Sequence, residues 1–173
     1  MSLRRLPFAA VAVLALSVSA CGFHLRKEAE LPPSMQRVYI EGADPSSLLT
    51  KDLTKALARS GTQVVSKPET DAAVMKIGTN AFTTDVLSVS GTARASEYAL
   101  RYHVEFDVEN SAGTALLPKQ TIELSREFTF DASQALGVSA ETDLLTKELQ
   151  RDMVQTIMRR LEALAHAKPA TAP

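Results

Sequence analysis

The feature that most limits what this chain can become is an alternation. Tyr98, Leu100, Tyr102, Val104, Phe106 and Val108 take every second position, and Glu97, Ala99, Arg101, His103, Glu105, Asp107 and Glu109 take the rest. Successive side chains on a strand point to opposite faces, so the run has one apolar face and one largely charged face. It reads as an antiparallel strand with one side on a core and the other on water. A second layer must then cover the apolar side, and the helical stretches of the chain are the candidates for it.

The neighbouring segments fit that plan. Asn110-Ser111-Ala112-Gly113 closes the strand as a turn. Ile122, Leu124, Phe128 and Phe130 then alternate with Thr121, Glu123, Ser125, Glu127 and Thr129, which predicts a further strand. Arg126 interrupts its apolar side, either as a snorkelling edge residue or as a binding group. Upstream, Ala73 to Val89 is mixed; Gly78 and Asn80 in its middle predict a bulge or bend, and Val89-Ser90-Gly91-Thr92-Ala93 a turn.

Arg37-Val38-Tyr39-Ile40-Glu41 and Thr62 to Ser66 are short β-rich runs. Between them, Asp44 as N-cap and Pro45 at the first helical position predict a helix over 46–60. Its apolar residues are Leu49, Leu53, Ala56 and Leu57, with Lys51, Lys55 and Arg59 on the other side and Ser60-Gly61 as the stop. Strand, helix, strand with short links predicts a βαβ unit with parallel neighbours.

The last element is a helix over 140–165, with Ser139 as N-cap and Glu141 and Asp143 near its positive end. Leu145, Leu149, Met153, Ile157, Leu161 and Leu164 form an apolar stripe, and Lys147, Arg151, Gln155 and Arg159 the opposite face. The fold class expected is α+β, a two-layer sandwich. Two helices pack on one face of a four- to five-stranded mixed, mostly antiparallel sheet. With no Trp and only 5% aromatic residues, the core has to be mainly aliphatic.

The start of the chain is of another kind. Arg4 and Arg5 precede an apolar run from Phe8 to Val18, too short for the ~18 residues of a membrane span and right for a secretory leader. Val18-Ser19-Ala20-Cys21 resembles a bacterial lipobox, in which the cysteine thiol takes a diacylglyceryl group before cleavage. Cys21 is the only cysteine, so lipidation there leaves no internal disulfide and the domain must stand on its core. The expected layout is a signal peptide over 1–20, a lipidated tether over 21–36, a single α+β domain over 37–166 and a disordered tail over 167–173. Removal of the leader leaves 153 of 173 residues, a single-domain size, and moves the formal charge from −1 to −3. That balance carries no signature of a nucleic-acid binder. Gly22, where inner-membrane retention would favour Asp, points by analogy to delivery to the outer membrane.

Catalytic chemistry is scarce. His24, His103 and His166 lie in the tether, on a polar strand face and in the tail, without metal-ligand spacing. No G-x-S-x-G and no phosphate-cradling glycine loop occurs, so neither an enzyme nor a cofactor is expected.

Several segments resemble, in order, the LPS-assembly lipoprotein family (LptE, also called RlpB). They are Cys21-Gly22-Phe23-His24-Leu25-Arg26, Leu31-Pro32, Asp44-Pro45 before the first helix, Ser96-Glu97-Tyr98 opening the long strand, Gln134-Ala135-Leu136, and Lys147-Glu148 in the last helix. The resemblance implies two helices on a mostly antiparallel sheet. It also implies a protein that plugs and helps assemble an LptD-type outer-membrane β-barrel, on the periplasmic side and in the barrel lumen, and supports lipopolysaccharide insertion into the outer leaflet. Lipopolysaccharide is then a further partner, and its phosphates call for Arg or Lys. The family's turn ahead of Ser96-Glu97-Tyr98 often carries a base near its tip; here the tip is Ser90-Gly91 and Arg94 is the nearest substitute. Two other readings stay open: an outer-membrane lipoprotein that binds a peptide or cell-wall ligand, and a lipid-anchored enzyme.

Overall fold

Five strands and two helices follow one another in the computed structural model, which describes residues 29–89, 95–129 and 135–166. They are β1 (Arg37–Glu41), α1 (Leu48–Arg59), β2 (Gln63–Val65), β3 (Ala73–Val89), β4 (Ala95–Glu109), β5 (Ala115–Thr129) and α2 (Ala135–His166). The sheet order is β2-β1-β3-β4-β5. β1 pairs in parallel with both β2 and β3, Val38 lying opposite Val64 on one side and Ala73 on the other. β3, β4 and β5 form an antiparallel meander, with Phe106 opposite Ile77 and Gln120. The expected βαβ unit is present, and the whole is the α+β sandwich read from the sequence.

The core lies between this sheet and the two helices. β4 contributes Tyr102, Val104, Phe106 and Val108, all with no exposed surface. Leu49, Leu53 and Leu57 of α1 and Leu149, Met153, Ile157 and Leu161 of α2 meet them from above. Each fully buried aliphatic side chain of this kind stabilises the fold by about 1.5–3 kcal/mol. Burial pushes the phenol of Tyr102 well above its ordinary pKa, and its hydroxyl donates to Asn80 Oδ1 at 2.7 Å.

Two bulges explain why β3 looked mixed. Ile77 pairs with Phe106 and Thr79 with Glu105, so Gly78 is an extra residue that flips the face. Met75 and Ile77 point into the core below it, and Asn80 and Phe82 share that side above it. The second extra residue is Leu87, between the Val86–Tyr98 and Ser88–Glu97 pairs.

β5 starts at Ala115, several residues ahead of the expected strand, and contains Pro118. Proline removes a ladder donor and is tolerated only at an edge or a bulge; β5 is an edge strand and its register slips at that point.

Two helix starts differ from expectation. Asp44 does not cap α1. Its carboxylate accepts from the backbone N–H and the hydroxyl of Ser46, each at 2.8 Å, which closes a turn ahead of the helix. Those bonds hold the Asp44 carboxyl below the usual range. The N-cap is Ser47, whose Oγ accepts from the N–H of Thr50 at 3.2 Å. α2 begins at Ala135, so Ser139 lies inside the helix rather than at its cap, and Glu141 and Asp143 are past its first turn.

The segment ahead of β1, read as tether to Gln36, is packed from Ala29 onward. Met35 is wholly buried, Ala29 and Leu31 rest against the core, and Thr62 Oγ1 donates to the Met35 carbonyl at 2.9 Å. Residues 1–28, with the leader and Cys21, lie outside the described residues, as do the turn residues 90–94, which include Arg94, and the tail 167–173.

Candidate functional site

The charged residues of the long alternation all stand on the sheet face away from the helices, and β3 and β5 add to them. Lys76, Arg101 and Lys119 among them are each held by a carboxylate, while Glu97, Asp107 and Glu127 stay outside these pairs. Arg101 Nε donates to Asp85 Oδ2 at 2.6 Å and its Nη1 to Glu123 Oε1 at 2.8 Å, a bridge across three strands. Those two carboxylates push the guanidinium further above its ordinary pKa. Lys119 Nζ lies 2.8 Å from Glu105 Oε2, and Thr79 Oγ1 donates to the same oxygen at 3.1 Å. Together they hold the Glu105 carboxyl below its usual range, Lys119 contributing most. His103 sits between Glu105 and Glu123, at 3.8 and 3.9 Å. Lys76 Nζ donates to Glu109 Oε2 at 2.6 Å, which raises its own pKa. Farther out, Arg37 is bound by Asp71 at 2.8 Å and by Glu69.

Cross-strand neighbours make this possible: residues two apart on one strand share a face with the residues opposite them. The result is a polar surface whose cations are already paired. Among the described residues no His, Cys, Asp or Glu group is arranged to hold a metal ion. The network is built to face water or a polar partner.

Arg126 was expected to snorkel or bind. It does a third thing: its Nη2 donates to Asp152 Oδ2 at 2.6 Å, which ties the edge strand to α2. A second tie joins them farther down, where Arg160 Nη1 donates to Gln120 Oε1 at 2.5 Å. His166 is the exposed last residue of α2 and stands apart from His103.

One site was missed at the level of sequence. A groove of about 210 Å³ opens beside the start of α1, lined by Leu48, Asp52, Lys147, Gln150 and Arg151. Lys147 and Arg151 were visible as part of a polar helix face. Nothing local signals that Leu48 of α1 lies beside them, because the two helices are far apart in the chain.

The fold and the ionic face define a small, two-layer α+β domain with one strongly polar sheet face and, among the described residues, no metal-holding cluster. A family model described as "LptE: Lipopolysaccharide-assembly" matches residues 35–161, and the chain belongs to that family. This is a family of assembly lipoproteins, not of enzymes. The chain is 29% identical to the LPS-assembly lipoprotein LptE of Yersinia enterocolitica over 150 residues, which cover 86% of this chain and 72% of the relative. It is also similar to lipoprotein B of Nitrosomonas europaea, a solution NMR structure, with a TM-score of 0.71 and 32% identity. That match covers 84% of this chain and 94% of the other. Rare lipoprotein B of Shewanella oneidensis, a crystal structure, matches with a TM-score of 0.64 and 26% identity over 73% of this chain and 94% of its own. No helix among the described residues is long and apolar enough to cross a membrane.

Proposed function

We propose that this protein serves lipopolysaccharide assembly as a lipid-anchored plug of an LptD-type outer-membrane β-barrel. It would help that barrel assemble and support insertion of lipopolysaccharide into the outer leaflet. Family membership supplies the process. The observation that carries the plug is the sheet face of Asp85, Arg101, His103, Glu105, Lys119 and Glu123, highly polar and with Arg101 and Lys119 each paired with carboxylates. A barrel lumen is polar, and such a face enters it with Lys76, Arg101 and Lys119 already paired.

The anchor proposed is Cys21, reached after removal of residues 1–20. One acyl chain holds a protein marginally at about 0.8 kcal/mol per buried CH₂, and several hold it stably. Seven residues lie between Cys21 and Ala29, eight steps of the chain. They span at most about 28 Å when extended, which keeps the domain against the periplasmic side of the membrane. Arg94 is the proposed contact for a lipopolysaccharide phosphate.

The test is purification of the tagged, lipidated protein from its own outer membrane in mild detergent. A stoichiometric large β-barrel should accompany it. A lone lipoprotein, from membranes in which the barrel is intact, overturns the plug and favours a free-standing ligand-binding lipoprotein. Cys21→Ala should remain unprocessed and carry no lipid label.

A further inference from the structure

The groove between the helices differs from the rest of the charged surface in what it leaves unmatched. On the sheet face Lys76, Arg101 and Lys119 each have a carboxylate at 2.6–2.8 Å. At the groove, Lys147 and Arg151 stand one turn apart on the same side of α2, an arrangement in which like charges repel. Neither belongs to an ion pair among the described residues. Asp52, the acid of the groove, is paired with Lys55 at 3.2 Å. Gln150 Oε1 is buried and receives no hydrogen bond, which is unfavourable until a donor is found. Leu48 leaves 49% of its surface in water at the mouth.

Two unpaired cations, one buried acceptor without a donor and one exposed leucine therefore converge on one small space. At about 210 Å³ the groove is below the roughly 300 Å³ at which pockets begin to hold whole small molecules. It is the right size for a side chain and a short piece of main chain inserted by a partner.

We propose that this groove seats an acidic segment of a partner protein. One Asp or Glu carboxylate of that segment lies between Lys147 and Arg151, an adjoining apolar side chain covers Leu48, and the Gln150 side chain turns outward so that its Oε1 accepts from a neighbouring main-chain N–H. The charge-assisted bonds to Lys147 and Arg151 set register and orientation, and the amide contact rewards a peptide over a bare anion. This inference rests on the reading that the protein works inside a protein complex. It adds where a partner chain binds and with what chemistry.

The experiment uses the full lipidated chain recovered from its own membrane. A photo-crosslinking residue replaces Arg151, and in parallel Lys147→Glu/Arg151→Glu, the milder Lys147→Gln/Arg151→Gln and the control Lys67→Glu are compared with the parent at about 0.15 M salt. Lys67, Lys147 and Arg151 are all exposed, so thermal melts should match the parent. The expected result is a crosslink to an Asp- or Glu-bearing segment of the co-purified protein. Recovery of that protein should fall about tenfold in the double Glu variant, less in the Gln variant and not at all in the control. Equal recovery in all variants overturns the groove and leaves the plug standing. A crosslink to lipopolysaccharide instead of protein also overturns it. If the parent itself brings down no protein, both the plug and the groove fail.

Discussion

The two ends of the long strands are built differently. Toward the β1 end, β3, β4 and β5 meet two helices, and Met75, Ile77, Val104, Phe106, Val108 and Ile122 are buried against Leu53, Ile157 and Leu161. Toward the far end, β3 leaves Val86 and Leu87 exposed at 55% and 45%. There the described side chains of α2 ahead of Leu149 are half-buried or exposed, Leu144 at 52%. Leu100 and Phe128 carry the core part of the way there, and Phe82 stacks on Tyr102 with ring centroids 4.0 Å apart and Tyr98 on Phe128 at 5.6 Å. The strands are paired along their whole length, yet apolar burial is concentrated in one half. Hydrogen bonding extends the sheet, but stability follows the apolar surface removed from water.

The difference can be tested from its largest expected effect downward. Phe106→Ala opens a cavity in the closed half and should cost about 3–5 kcal/mol by urea denaturation. Gly42→Ala comes next. Gly42 has a φ of +79°, and a Cβ there would stand 2.5 Å from the Ile77 carbonyl oxygen, so a loss of about 1–3 kcal/mol is expected. Ser47→Ala removes the cap of α1 and should cost about 1 kcal/mol in the same assay, whereas Asp44→Ala should leave the start of the helix intact. Val86→Ser, in the open half, should stay within about 0.5 kcal/mol of the parent. A loss near that of Phe106→Ala would show that the far end is packed and would end the comparison.

The smallest effect is on the sheet face. Glu105 has its pKa lowered in the fold by Lys119 and Thr79. A carboxyl lowered by folding contributes stability above its unfolded pKa of about 4.3 and loses it as the pH falls through the folded value. The parent should therefore exceed Glu105→Gln in stability at pH 6, with the gap closing below about pH 4. Lys119 is 63% exposed, so the gap should be small and should shrink further in high salt. A gap that widens in acid would reverse the sign and remove Glu105 from the network.

Much of this was legible in the residues. The alternation from Glu97 to Glu109 predicted both the strand and its charged face, because one side of β4 meets the core and the other does not. The stripes through Leu49, Leu53 and Leu57 and through Leu149, Met153 and Ile157 predicted the helices for the same reason. β3 resisted because the Gly78 bulge shifts its core side from odd to even positions, and no local pattern survives such a shift. The first half of β5 resisted because Pro118 argues against a strand unless the strand is known to be an edge. Asp44 and Ser47 are both good caps; the turn closed by Ser46 decides between them.

The sequence by itself determined most of the elements and the two-faced sheet, since periodicity records which side of each segment is dry, and its ordered motifs pointed to the family. Only the tertiary structure decided strand order, the cross-strand ion pairs, the Arg126–Asp152 tie and the groove between Leu48 and Arg151. Each of these depends on segments distant in the chain being brought together, and distance along a sequence carries no record of which neighbours a fold will choose.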